Sequence, residues 1–165
     1  MEIFLIPIGA ILIGLVLIFL LKNYSPPLPQ QKVTWANPED RPPYLVDRQA
    51  FRDKCLEFLE KFNLEYRHSI WANDHELEID MFDETPVVGG KYLALCIFDP
   101  PHQLVDGITV KNFLDTVKGE GAHRGILITT GYFTEEANHA ASEEDQVELV
   151  NVVNFLDYLK RFEIY

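Results

Sequence analysis

Residues 92–98 read Tyr92-Leu93-Ala94-Leu95-Cys96-Ile97-Phe98, seven consecutive positions without a charged side chain. A strand with one wet face alternates apolar and polar residues. A run that is apolar at both parities belongs to a strand covered on both faces, in the middle of a helix-flanked sheet. Gly125-Ile126-Leu127-Ile128 is a second run of this kind. Just upstream, Leu77, Ile79 and Met81 alternate with Glu76, Glu78, Asp80 and Phe82, so one face of that strand is apolar and the other carries three carboxylates. Thr85-Pro86 and Gly89-Gly90 mark the turn between these strands, and residues 64–71 alternate as a further strand before them.

Helical periodicity fills the intervals. Asp47 is placed to cap a helix reaching about Phe62, with Phe51, Cys55, Phe58, Leu59 and Phe62 as its apolar stripe. Val110, Phe113, Leu114 and Val117 have the same spacing, closed by Gly119 and Gly121. Thr134 caps a short helix that begins with Glu135 and Glu136, where the helix dipole favours negative charge. Residues 147–150 are a last short strand, and Phe155, Leu156, Leu159 and Phe162 give the final helix its stripe. A helix and three strands followed by alternating helix and strand predicts an α/β fold, a mixed sheet in which an antiparallel hairpin is extended by parallel strands and flanked by helices.

The N-terminal part has a different character. Residues 3–21 contain nineteen positions without a charge. As a helix they would span roughly 29 Å, the hydrocarbon thickness of a bilayer. Glu2 is the only charged residue ahead of them and no small-residue cleavage site follows, so residues 1–23 are expected to be an uncleaved transmembrane anchor preceding the soluble fold. Lys22 and Lys32 follow the span and no Lys or Arg precedes it, which places the rest of the chain on the cytoplasmic side of a bacterial-type inner membrane. Residues 24–46 hold six of the ten prolines and read as a semi-rigid spacer of up to roughly 70 Å. The domain proper is expected over 47–165.

Composition excludes several functions. With 26 acidic against 14 basic residues the 165-residue chain carries a formal charge of −12, unfavourable for gripping nucleic acid by bulk electrostatics. Two cysteines, Cys55 and Cys96, do not make a disulfide scaffold. No phosphate-binding loop, nucleophile elbow or dinucleotide fingerprint is present.

The segment Gly121-Ala122-His123-Arg124-Gly125-Ile126-Leu127-Ile128-Thr129-Thr130-Gly131-Tyr132-Phe133-Thr134-Glu135-Glu136-Ala137 resembles the most recognisable stretch of Mrr-type restriction endonuclease domains. The element order is similar to that of the restriction-endonuclease-like, or PD-(D/E)xK, core, and the likeness extends over about Phe51 to Phe162. The resemblance implies a Mg²⁺-dependent phosphodiesterase, in which carboxylates hold the metal and a Lys supports the attacking water and offsets phosphate charge. It implies an Asp on the second strand, a Glu or Gln and a Lys two residues apart on the third, and in many members a Glu early in the first helix.

On that template Asp80 stands where the strand Asp belongs, with Glu78 on the same strand face as a second metal ligand if the site is active. The remaining positions are degenerate: Ala94 replaces the acid or amide, Cys96 the Lys, and Arg52 the helix Glu. Neither Ala94 nor neutral Cys96 supplies a ligand or a cation. Lys91 and Lys111 are the cations from which the missing charge would have to come, although Lys91 has the wrong parity relative to Cys96. Asp74-His75-Glu76 with His68 lacks the spacing of a zinc site and reads as an acidic loop edge. His102 lies in a proline-rigid turn, and Thr129-Thr130-Gly131 precedes a helix whose glutamates would repel an anion.

The resulting expectation is a pseudoenzyme, a membrane-anchored, non-hydrolytic binding module with a protein partner and no cofactor. The alternative is an active divalent-metal-dependent DNA endonuclease using Mg²⁺ on Asp80. A third reading, DNA binding without cleavage, needs Arg48, Arg52, Lys54 and Lys61 on one face, yet Arg52 and Lys54 project roughly 200° apart on a helix.

Overall fold

The computed structural model describes residues 32–165. These residues form one compact unit. Its elements are α1 (Arg48–Glu60), β1 (Glu65–Trp71), β2 (Glu76–Asp83), β3 (Gly90–Ile97), β4 (Leu104–Val105), α2 (Gly107–Gly119), β5 (Arg124–Thr129), β6 (Tyr132–Phe133), α3 (Glu135–Glu143), β7 (Val147–Val150) and α4 (Val152–Arg161). The main sheet has the order β1-β2-β3-β5-β7. The first three strands pair antiparallel, and β3, β5 and β7 are parallel. The expected mixed α/β sheet is therefore present, with β3 at its centre. Leu93 to Ile97 are buried at both parities.

Two apolar layers sandwich the sheet. Leu77, Ile79, Met81, Ala94, Cys96 and Ile128 face α1 and α4, where Phe51, Cys55, Phe58, Phe155 and Leu159 complete the larger core. Leu93, Leu95, Ile97 and Leu127 face α2 and α3, meeting Val110, Phe113, Leu114, Val117 and Ala137. Gly125 is needed because α2 crosses close to β5. A Cβ there would lie 2.7 Å from a Val117 methyl carbon and 2.8 Å from the Phe113 ring. A short parallel pair, β4 with β6, ties the loops that follow β3 and β5 and was not legible in the sequence.

The helix starts follow their caps. Asp47, Thr134 and Asn151 each accept from the amide three residues on, in α1, α3 and α4 respectively. In α2 the cap is Asp106, whose Oδ1 accepts from the Thr109 amide and hydroxyl, both at 2.8 Å. Those bonds, the backbone one first, hold its carboxyl below the usual range. Because the folded carboxyl titrates lower than the unfolded one, its contribution is complete above about pH 4 and is lost as pH falls through the folded value. Asp106→Ala is expected to lower unfolding free energy by about 1 kcal/mol near neutral pH and by less once the parent carboxyl is protonated. Urea denaturation at neutral and strongly acid pH checks this; an equal loss at both would contradict it.

Two expectations change. The fold class predicted from the sequence began with a membrane-spanning helix, and that part is corrected. Among the described residues no helix is long and apolar enough to cross a membrane. The longest, α1 and α2, have 13 residues, about 20 Å at the helical rise, and each carries a polar face. The apolar stretch 3–21 and the anchor expected over 1–23 lie outside the described residues. Second, the stretch expected to be a spacer is in part a strap on the domain. Val33, Trp35 and Leu45 pack against the larger core and Tyr44 is buried in it, while the Val33 amide donates to the Tyr132 hydroxyl at 2.7 Å. Proline excludes regular ladders, but it does not prevent the aromatic residues between prolines from burying surface.

Candidate functional site

Residues opposite one another on paired strands point to the same side, so the register fixes what accompanies Asp80. Asp80 pairs with Leu93 and Glu78 with Leu95, while Glu76 pairs with Ile97. On β1, His68 is opposite Asp80 and Ile70 opposite Glu78. The carboxylates of β2 thus lie on the α2 side of the sheet, in front of Leu93, Leu95 and Ile97. Glu76, Glu78 and Asp80 border a groove of about 210 Å³, with Thr109, Asn112, Thr116 and Glu120 on its α2 wall.

Lys91, at the start of β3, has the parity of Leu93 and reaches the same side. Its Nζ is 3.8 Å from Asp80 Oδ2 and donates to Glu120 at the end of α2. The Glu120 hydrogen bond, with smaller help from the Asp80 charge, pushes the ammonium pKa up against the opposing cost of burial. The ammonium thus stands between two partly exposed carboxylates.

The other positions singled out in the sequence are not brought together with Asp80. Ala94 and Cys96 point into the larger core on the α1 side. Both cysteine thiols are free and fully buried. Burial, then a hydrogen bond to Cys96, pushes the Cys55 thiol well up, so it is inert at neutral pH. Arg52 lies on α1, which packs on that same opposite side, and its guanidinium pairs with Asp53 at 3.2 Å. Of the cations needed for a DNA-binding face, Arg48 pairs with Asp74 and stacks over Trp71, and Lys54 pairs with Glu57.

The residues that accompany Asp80 on the third strand are therefore Leu93, Leu95 and Ile97, one position out of step with Ala94 and Cys96. Strand parity carried that signal. Asp80 is outward where Ile79 is inward, and its cross-strand partners must follow it. The same parity makes Lys91 a neighbour of Asp80, although it is out of step with Cys96. The cluster around residues 74–76 is dispersed among local bonds. Asp74 binds Arg48, His75 Nδ1 lies 3.0 Å from the Phe98 carbonyl, and Glu76 accepts from Asn73 at 2.7 Å. Among the described residues no three His, Cys, Asp or Glu side chains form a group that could hold a metal ion.

Comparison with solved structures finds similarity to the MspJI restriction endonuclease in complex with a 27-mer oligonucleotide, at 17% identity and a TM-score of 0.48, over 72% of this chain and 28% of that one. It also finds the DNA modification-dependent restriction endonuclease AspBHI, at 15% identity and a TM-score of 0.49, over 82% of this chain and 40% of that one. The chain thus spans less than half the length of either. No curated protein matches. A family model of restriction endonuclease catalytic domains, Mrr_cat, matches residues 46–159. With its αβββαβ element order and a match over most of its length, the chain belongs to the Mrr-type restriction endonuclease family.

Proposed function

We propose that this domain keeps the family fold as a binding module and does not hydrolyse phosphodiesters. One observation carries the reading: the side of β3 facing Asp80 offers Leu93, Leu95 and Ile97, and the nearby cation, Lys91, is held by Asp80 and Glu120. Hydrolysis in this family calls for a third-strand ligand and a lysine able to meet water and phosphate. Three aliphatic side chains supply neither.

The residues also do not fit Mg²⁺. Glu78 and Asp80 share a side, but the ion demands a near-octahedral set of oxygen donors, and the Lys91 ammonium stands 3.8 Å from the Asp80 carboxylate. The acidity of the groove also disfavours DNA. Glu76, Glu78, Asp80 and Glu120 surround it against one lysine, in a chain of net charge −12. A protein partner suits that surface better than a phosphate backbone does.

Manganese titration tests the assignment. Free Mn²⁺, followed by its electron paramagnetic resonance signal, is expected to be depleted equally by the parent chain and by Asp80→Asn. A stoichiometric site present in the parent and missing in the variant would overturn the reading.

A further inference from the structure

We propose that a second cavity, on the α1 side of the sheet and separate from the Asp80 groove, binds a small organic cation carrying an alkylated ammonium group. The cavity has a volume of about 320 Å³. It opens between the C-terminal half of α1 and α4, over β3, β5 and β7.

Four aromatic rings line it: Phe58, Phe62, Tyr92 and Tyr158. Three of them fix one another. The Phe58 and Tyr158 centroids are 5.7 Å apart, those of Phe62 and Tyr158 6.5 Å, and those of Phe58 and Phe62 5.1 Å. Two carboxylates, Asp83 and Glu148, share the lining. Asp83 accepts from the Thr85 hydroxyl and amide, which hold its carboxyl below the usual range and keep it ionised. The one lining cation, Arg124, is paired with Asp145, 3.5 Å from its carboxylate and 3.4 Å from its carbonyl.

This combination selects by charge. The negative face of an aromatic ring attracts an alkylated ammonium ion, and the two carboxylates add to that attraction. Leu64, Ile126 and Val150 give the alkyl groups apolar contact. A neutral ligand gains nothing from these water-accessible carboxylates, and an anion would be repelled by them. The net charge of −12 raises the local concentration of cations around the whole chain. The space is about twice that of the ~150 Å³ engineered cavity that accepts benzene, ample for a trimethylammonium head.

Choline and its uncharged isostere 3,3-dimethyl-1-butanol, titrated separately into the full-length chain with the tyrosine ring NMR signals as readout, test the proposal. Choline is expected to bind about tenfold tighter than the isostere. Glu148→Gln, a change at an exposed residue, is expected to weaken choline severalfold and leave the isostere unaffected. Tyr158→Leu is expected to abolish the preference, and Glu148→Gln remains decisive if that core-facing variant does not fold. Equal affinity for the two probes, no saturable choline binding, or choline binding insensitive to Glu148→Gln would overturn the proposal.

Discussion

Phe155→Ala is expected to cost the domain about 3–5 kcal/mol, a large part of the stability of an ordinary domain of this size. Phe155 is fully buried and sits where three separate segments meet. Its ring packs edge-on against Tyr44 of the N-terminal strap at 6.3 Å, Phe51 of α1 at 6.2 Å and Phe58 of α1 at 5.3 Å. Truncation removes the transfer energy of the ring and leaves a cavity that two helices and a strap cannot close together. Phe62→Ala provides the internal comparison. Phe62 is 44% exposed at the end of the same aromatic cluster, so its loss is expected to cost under about 1.5 kcal/mol. Chemical denaturation of the two variants gives the ordering. A loss at Phe155 no larger than that at Phe62 would show that α1, α4 and the strap do not share one core.

That core also shows what the sequence made legible and what it did not. Periodicity is a local property, and it placed α1, β2, β3, β5 and α4 because each buries a face that its own residues define. Of the expected stripe, Phe51, Cys55, Phe58 and Leu59 are buried, whereas Phe62 lies beyond the end of α1 and is 44% exposed. The two-residue strands β4 and β6 are too short for any period to register. The start of α2 was missed because its cap, Asp106, is followed by glycine, a poor helix former. Residues 33–45 were read by their prolines, whereas Trp35, Tyr44 and Leu45 decide their placement by finding apolar partners far away in sequence.

The site shows a subtler limit. Asp80 and the carboxylate face of β2 were evident from alternation alone. The third-strand positions were assigned as Ala94 and Cys96 by counting within a strand that is apolar at both parities, where a one-residue slip leaves no mark in the pattern. Only the pairing of Asp80 with Leu93 and Glu78 with Leu95 shows which residues stand beside the acids. The proposed loss of hydrolysis therefore rests on leucine and isoleucine rather than on Ala94 and Cys96, and neither aliphatic side chain offers a donor to a metal or a phosphate.

The same geometry gives the second large expected effect, an all-or-none one. The family resemblance implies a lysine that supports the attacking water, and Lys91 here is paired with Asp80 and Glu120. Removing part of such a catalytic set costs orders of magnitude in rate, because its members act as a unit. Supercoiled plasmid incubated with the full-length chain in Mg²⁺ or Mn²⁺ is therefore the decisive measurement. The expected result is no nicking above that of Asp80→Asn at any metal concentration. Metal-dependent conversion to open-circular or linear DNA by the parent, abolished by Asp80→Asn, would contradict the account.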